Sequence, residues 1–285
     1  TPKGDFAPFL PREAKHEYYI DHADDTFYIR TNWEAENFRL MSSTLEDSAD
    51  KSKWIGVVDH KPDVFLGQFE VFKNFLAVNL RQDGLLGIKI IPWDSTQAPH
   101  TIDFGEVAYS ARLGTNLAYD TTTLRYSYES MVTPDSVFDY DMQKRTKTLK
   151  KQDEVLGGYD PKEYVIERLW AEARDGARVP LSLVYKRNLD RTKPHPLYQY
   201  GYGSYGYSID PYFSASRLSL LERGFIVAIA HIRGGQEMGR QWYENGKLLH
   251  KLNTFNDFID VSKFLVNQGY TSADKLVAAG GSAGG

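Results

Sequence analysis

The stretch Gly280-Gly281-Ser282-Ala283-Gly284 has the pattern G-x-S-x-G and directly follows the apolar run KLVAA. In this pattern a serine nucleophile lies on a sharp turn between a strand and a helix, where larger flanking side chains would collide with neighbouring backbone. The backbone N–H of Ala283 would then face the oxyanion of a tetrahedral intermediate. The alternative is a flexible Gly/Ser tail, but the preceding apolar run favours a strand and therefore a nucleophile at Ser282.

Histidine is the usual general base for such a serine, and the chain contains seven histidines. In enzymes with this turn the acid and the histidine follow the serine in the chain, whereas all seven precede Ser282. None is therefore predicted to be the base; His231 is predicted to be structural and His250 to be solvated. Because the chain starts at Thr1 and stops three residues after Ser282, we expect a fragment whose catalytic histidine and aspartate lie beyond Gly285.

The second half of the chain reads as alternating strands and helices. A buried strand is predicted from the apolar run at 225–232, and helices are predicted at 214–224 and 254–269, the second opening with a capping box of Thr254 and Asp257. A strand pair turns at Asp175-Gly176, a short strand is predicted at the start of PLYQYGYG, and a second buried strand is predicted in KLVAAG. This order predicts an open α/β sheet.

The first half instead reads as strands separated by turns. Units of two alternating apolar runs start at residues 26, 75 and 123, with spacings of 49 and 48 residues. Asp83-Gly84 and Pro134-Asp135 mark hairpin turns in two of them. A period of about 40–50 residues is typical of β-propeller blades, with a meander or sandwich as the alternative. A charged, Gly-Gly-containing linker after about residue 148 predicts a partial β-propeller domain at 1–150 and a second domain at 151–285.

The composition limits the class of protein. The chain has 285 residues, 41% hydrophobic and 25% charged, with a net charge of −4 and no cysteine. Disulfides and thiolate metal sites are excluded, the charge does not resemble the basic footprint of nucleic-acid binding, and no run approaches the ~18 apolar residues of a membrane span. The composition is compatible with a reducing compartment, so we expect a cytoplasmic protein that does not bind membranes.

Four motifs together resemble the prolyl oligopeptidase family of serine peptidases. They are YGYGSYG (200–206), IRGGQEMGRQWYENGK (232–247), NTFNDF (253–258) and GGSAGG (280–285). Within that family they are similar to the oligopeptidase B branch. The resemblance implies a β-propeller, seven-bladed in the family, beside an α/β-hydrolase domain, of which this chain would hold part of the former and the N-terminal part of the latter.

The resemblance also implies roles for individual residues. Ser282 matches the nucleophile, and Tyr202 matches a tyrosine whose hydroxyl completes the oxyanion hole with the Ala283 N–H; without the resemblance, Tyr202 would be read as a core tyrosine. Tyr205 matches an aromatic residue that lines the substrate site. Arg233 and Glu237, in the RGGQEMG loop, are expected to organise that loop through an ion pair.

Substrate preference rests on two further positions. Ala283 stands where the proline-specific branch has asparagine. Asp210 matches the first of two aspartates that bind a basic residue one position upstream of the cleaved one, whereas the second position is Tyr212, a departure that weakens the expected dibasic preference. The alternative for Asp210 is a turn set by Pro211.

The resemblance therefore implies a serine oligopeptidase that hydrolyses short basic peptides after Arg or Lys, without a metal or organic cofactor. The acidic residues that would select that Arg or Lys are expected beyond Gly285, and the oligomeric state is open. A prolyl oligopeptidase or another α/β-hydrolase, such as an esterase, is the alternative among enzymes. A non-catalytic propeller-based binding module is the alternative from another class.

Overall fold

The first half of the chain forms three four-stranded antiparallel units. The computed structural model describes residues 4–285. The third unit joins the second at the pair Leu86 and Ser110, where one strand of each unit runs parallel to the other. The strands of the three units are β1 (Tyr18–Ala23), β2 (Thr26–Thr31), β3 (Arg39–Ser43) and β4 (Ile55–Val58), then β5 (Val64–Val71), β6 (Phe75–Gln82), β7 (Leu85–Pro92) and β8 (His100–Thr101), then β9 (Tyr109–Leu113), β10 (Thr123–Ser130), β11 (Ser136–Asp141) and β12 (Thr146–Gln152).

The observed units confirm the repeat predicted from the sequence. Their second strands begin at Thr26, Phe75 and Thr123, the three positions at which the apolar pattern restarts. Between β6 and β7, Asp83 and Gly84 both have positive φ, 50° and 77°, as a type I′ hairpin turn requires. Successive four-stranded antiparallel units of this length are the blades of a β-propeller, and residues 4–285 hold three of them.

The boundary between the two halves lies slightly beyond the predicted one. Residues 150 and 151 are both within β12, which is exposed along its whole length and rich in lysine. Lysines suit an outer strand because their charge discourages edge-to-edge pairing with another chain. The strand ends at Gln152, and the next strand begins at Tyr164. We therefore place the end of the propeller part after Gln152.

The second half is a five-stranded mixed sheet flanked by helices. The strand order is β13-β14-β16-β15-β17, in which β15, β16 and β17 are parallel and β13 and β14 form an antiparallel hairpin. The elements are β13 (Tyr164–Glu172), β14 (Arg178–Lys186), β15 (Leu197–Tyr200), α1 (Ala215–Glu222), β16 (Ile226–Ala230), α2 (Arg240–Glu244), α3 (Leu252–Asn267) and β17 (Leu276–Ala279). The predicted strands and the two longer helices are all present, and β16 is fully buried as its apolar run indicated. This is the beginning of an α/β-hydrolase sheet. Among residues 4–285 the structure has no helix with both the length and the apolar character needed to cross a membrane.

Two local predictions about these elements are wrong. Helix α3 begins at Leu252, so Thr254 and Asp257 lie inside it and form no capping box. Thr254 Oγ1 instead donates to the Gly246 carbonyl at 3.2 Å, and Asp257 pairs with Arg233. Strand β17 is the edge of the sheet in this chain, and Val277 is 47% exposed, so it is not the buried strand that was predicted.

The propeller part and the α/β part meet at the buried carboxylate of Asp210 and at a charged side chain that reaches back to the propeller part. Arg81, at the end of β6, donates to both oxygens of Asp210 at 2.5 and 3.1 Å, and Arg112 from β9 donates to the same carboxylate at 2.8 Å. Burial alone would raise the pKa of Asp210, but the two arginines hold it below its ordinary value. In the opposite direction, Arg168 of β13 donates to the carbonyl of Asp83 at 2.6 Å. The β6–β7 hairpin is thereby joined to the α/β part.

We expect the ion pair of Arg81 to contribute strongly to stability. Arg81→Met removes the buried partner of Asp210, and breaking a buried pair from one side costs about 3 kcal/mol. The matched control is Arg125→Met, which breaks a surface pair with Asp139 and should cost less than about 1 kcal/mol. Urea unfolding of the 285-residue chain measures both. Equal losses for the two variants would show that the interface does not depend on this pair.

Candidate active site

The turn that carries Ser282 is as tight as its sequence predicts. Ser282 has φ +52°, a left-handed conformation that is unfavourable for a residue with a side chain and is a recognised form of strain at functional turns. A Cβ on Gly280 would lie 1.8 Å from the Gly284 carbonyl oxygen, so only glycine fits at that position. The turn follows β17 directly, and Ser282 is exposed. The serine therefore projects beyond the end of the sheet.

No histidine of the described residues hydrogen-bonds to Ser282, in agreement with the sequence prediction. His231 is fully buried, with Nδ1 2.8 Å from the Ile209 carbonyl and Nε2 2.8 Å from Ser182 Oγ. Burial lowers the pKa of His231 to about 3, so it is neutral and structural, as predicted. His250 is exposed, also as predicted.

The structure brings Tyr202 and Ala283 to the same cavity. The cavity has a volume of about 320 Å³, and Phe258 and Gly284 also line it. A Cβ on Gly284 would lie 2.9 Å from the Tyr202 Cα, so the loop that holds Tyr202 packs directly against the serine turn. This arrangement is compatible with the predicted oxyanion hole, and the roles of Tyr202 and Ala283 stay predictions.

The two residues predicted to bind substrate have different surroundings. Tyr205 is 79% exposed and has φ +60°, so its ring is accessible above the 200–206 loop. Asp210 is buried, and both of its carboxylate oxygens already accept hydrogen bonds from Arg81 and Arg112. A substrate could reach this carboxylate only if an arginine moved. Tyr212 stands at the position where the resemblance implies a second aspartate. The Arg217 guanidinium carbon lies 4.5 Å from the centroid of its ring.

The loop at 233–239 is held by an ion pair, but not by the one that was predicted. Arg233 donates to Asp257 of α3, through the backbone N–H at 2.9 Å and through Nη2 at 2.5 Å, and its Nη1 donates to Asp175 at 2.6 Å. Asp175 belongs to the β13–β14 turn. Glu237 takes no part in this cluster. Its Oε1 accepts from the Ile209 N–H at 2.7 Å, and its Oε2 has no hydrogen-bond partner.

The anchored loop supports the 200–206 loop by direct backbone contact. The Gly206 N–H donates to the Gly234 carbonyl at 2.9 Å. A Cβ on Gly234 would lie 2.0 Å from the Gly203 carbonyl oxygen, and a Cβ on Gly203 would lie 2.8 Å from the Arg233 carbonyl oxygen. The two loops approach more closely than side chains would allow. Arg233 therefore supports the loop that holds Tyr202.

Asp175 and Asp257, the carboxylates that hold Arg233, were missed as site residues. Asp175 was identified only as a turn residue, and Asp257 only as half of a helix cap. Their common partner lies 58 and 24 residues away in the chain, and no local pattern connects them. The nearest signal in the sequence was the arginine itself, in a glycine-rich loop where a buried guanidinium needs carboxylates.

The fold and the site together define a propeller-associated α/β-hydrolase with a strained, glycine-flanked serine turn. Comparison with known families agrees. The model of the prolyl oligopeptidase N-terminal β-propeller domain matches residues 1–153, and the model of the prolyl oligopeptidase family matches residues 211–285. The chain therefore belongs to the prolyl oligopeptidase family of peptidases.

Relatives of this chain carry different names within the family. Dipeptidyl aminopeptidase BI of Pseudoxanthomonas mexicana is 45% identical over 99% of the chain and 39% of its own length. Protease 2 of Moraxella lacunata is 39% identical over 94% of the chain and 38% of its own length. The structure of oligopeptidase B from Leishmania major superposes with a TM-score of 0.88 at 40% identity, covering 96% of this chain and 39% of that one. The chain thus spans about two fifths of the length of these relatives.

Gly234→Ala tests the close approach of the two loops. Its φ is +100° and the new Cβ would meet the Gly203 carbonyl oxygen, whereas Gly269, at φ +74°, has open space around it. Both alanines carry the backbone strain of about 1 kcal/mol, but only the first adds a collision of about 1–3 kcal/mol. Urea unfolding should therefore show the larger loss for Gly234→Ala. A loss no larger than that of Gly269→Ala would contradict the contact.

Glu237 predicts a specific dependence of stability on pH. Burial raises the pKa of Glu237 to about 7, against the opposing effect of Arg81. The folded state therefore holds a proton that the unfolded state releases above about pH 4.5. This contribution to stability is present below pH 4.5 and is lost as the pH rises through 7.

Glu237→Gln mimics the protonated form and should remove that dependence. Relative to the wild type, we expect the variant to gain about 2 kcal/mol of unfolding free energy between pH 5 and pH 8. Glu46→Gln, at an exposed carboxylate, is the control and should follow the wild type. Parallel curves for Glu237→Gln and the wild type would mean that the carboxyl group is ionised in the fold.

Proposed function

We propose that the whole protein to which this chain belongs is a serine oligopeptidase that hydrolyses short peptides after Arg or Lys. The observation that carries the proposal is the left-handed Ser282 turn packed against the Tyr202 loop. A strained serine at the end of a parallel strand is the arrangement that a nucleophile requires. Family membership supports peptide hydrolysis as the reaction.

The proposed mechanism is acyl transfer. Ser282 Oγ attacks the carbonyl carbon of the scissile bond while a histidine takes its proton, and that proton later goes to the leaving amine. The Ala283 N–H and the Tyr202 hydroxyl stabilise the oxyanion. Water then attacks the acyl-enzyme and releases the acid. The histidine and its orienting carboxylate would lie in the part of the relatives' length that this chain does not span.

The proposed preference for a basic residue rests on Ala283 and Asp210. Ala283 argues against proline specificity through the family resemblance. Asp210 is acidic, but its carboxylate is already paired with Arg81 and Arg112. It would bind an upstream basic residue of the substrate only if that residue displaced one of these arginines. The identity to a protein named dipeptidyl aminopeptidase gives a second candidate, in which dipeptides are removed from a free N-terminus.

The test is kcat/KM of the full-length protein on matched fluorogenic peptides. Two of the peptides have blocked N-termini and differ only in having Arg or Pro before the scissile bond. A third peptide has a free N-terminus and carries the Arg as its second residue, directly before the scissile bond. We expect Arg to exceed Pro by at least about 100-fold, because a charged residue that meets its partner gains several kcal/mol over an apolar one. A Pro preference would contradict the proposal, and activity only on the free N-terminus would favour the second candidate.

Labelling by a fluorophosphonate distinguishes an enzyme from a non-catalytic binding module. We expect Ser282 to react in the full-length protein and Ser282→Ala to be unreactive. The 285-residue chain alone should show essentially no turnover, because none of its histidines contacts Ser282. Turnover by that chain that is lost in Ser282→Ala would overturn this expectation, and an unlabelled, inactive full-length protein would favour the binding module.

A further inference from the structure

Lys251 is a partly buried cation at the N-cap of α3, and the hydrogen bonds of its side chain go to the loop that holds Tyr202. Its Nζ donates to the Gly203 carbonyl at 2.5 Å and to Ser204 Oγ at 2.7 Å. Burial lowers its pKa. Among the ion pairs of the described residues, none includes Lys251. Two other lysines of this region do have carboxylate partners: Lys247 pairs with Glu244, and Lys263, further along α3, lies 4.0 Å from Asp260.

A cation removed from water without a counter-charge is costly unless its hydrogen bonds compensate. A bond from an ammonium group to a neutral acceptor is stronger than one between neutral groups. Lys251 makes two such bonds, and both acceptors belong to consecutive residues of one loop. The position of this ammonium group is thus tied to the geometry of that loop and not to a carboxylate elsewhere.

The loop itself has an unfavourable backbone that needs external support. Gly203, Tyr205 and Gly206 all have positive φ, at 62°, 60° and 65°. Hydrogen bonds from other segments to the part of the loop after Tyr202 include that of the Gly206 N–H to the Gly234 carbonyl and those of Lys251. The Gly203 carbonyl that Lys251 holds belongs to the residue that follows Tyr202. Its orientation therefore constrains the direction in which the Tyr202 backbone and ring point.

We propose that Lys251 is a positioning residue that fixes the Tyr202 hydroxyl for oxyanion stabilisation, by clamping the Gly203 carbonyl and the Ser204 hydroxyl. The inference rests on the proposed function for the role of Tyr202, but the clamp itself is a property of this structure. A residue that only ended the helix or filled space would leave the contribution of Tyr202 unchanged. A positioning residue acts through Tyr202, so the two effects are coupled.

The first experiment measures the clamp directly. Amide hydrogen exchange of the 200–207 segment is followed in the 285-residue chain with Lys251→Met, which keeps the length of the side chain but removes its donors. We expect exchange to accelerate by about 10-fold, as for the loss of a charge-assisted hydrogen bond. The matched control is Lys263→Met on the exposed side of the same helix, which should change exchange by less than about two-fold. Unchanged protection in Lys251→Met would overturn the clamp.

The second experiment is a double-mutant cycle on the full-length protein. In the wild-type background Lys251→Met should lower kcat by about 10-fold with little change in KM, which is below the 10²–10³ loss typical of removing an oxyanion donor. In the Tyr202→Phe background the same change should lower kcat by less than about two-fold, because the group it positions is absent. Equal losses in both backgrounds would overturn the positioning role.

The failure of the proposed function and the failure of the inference about Lys251 give different results. If the wild type shows no turnover that depends on Ser282, the proposed function is wrong, and hydrogen exchange still decides whether Lys251 clamps the loop. If turnover is present but the cycle is additive, the proposed function stands and the inference is wrong. Ser204→Ala removes one of the two acceptors and should give an intermediate loss of kcat; a loss larger than that of Lys251→Met would place the effect on Ser204 itself.

Discussion

The buried guanidinium of Arg233 holds together the part of the molecule that faces the candidate active site. Its two carboxylate partners come from the β13–β14 turn and from α3, so one side chain connects the antiparallel edge of the sheet, a helix and a loop. A buried charge that has lost one of its partners destabilises a fold more than an apolar side chain at the same place. The loop is therefore restricted to the conformation in which Arg233 pairs with both Asp175 and Asp257. In that conformation Gly234 lies against Gly203, and the Tyr202 loop has a fixed surface to pack on.

A second group of buried charges makes the propeller part and the α/β part depend on each other. Asp210 is neutralised by Arg81 and Arg112 from two propeller strands. Arg168 of the α/β part donates a hydrogen bond to the β6–β7 turn of the propeller part. Glu237 lies nearby with one unpaired oxygen. The segment that follows the Tyr202 loop is consequently shaped by residues of the other half of the chain. The carboxylate of Asp210, which the sequence predicted to bind substrate, thus joins the two halves of the chain.

Features that depend on neighbours in the chain were predictable from sequence. The 48- and 49-residue spacing and the Asp83-Gly84 pair predicted the blades and one of their turns, since strand alternation and left-handed turns follow from local sterics. The apolar runs predicted the strands and helices of the second half. The G-x-S-x-G pattern predicted the turn at Ser282, because only glycine permits so close an approach. The family motifs also predicted that Tyr202 and Ala283 lie close together, and in the structure both line one cavity.

The partners of the charged residues were decided only by the tertiary structure. Thr254 and Asp257 had the spacing of a helix cap, yet the helix starts earlier and Asp257 neutralises Arg233. Glu237 does not pair with Arg233, and Lys251 carried no signal at all. Sequence by itself determined the elements, their order and the tight turn at Ser282, because these depend on periodicity and local backbone geometry. Which charges meet depends on desolvation and distance across segments up to 223 residues apart, and these are known only when the chain has folded.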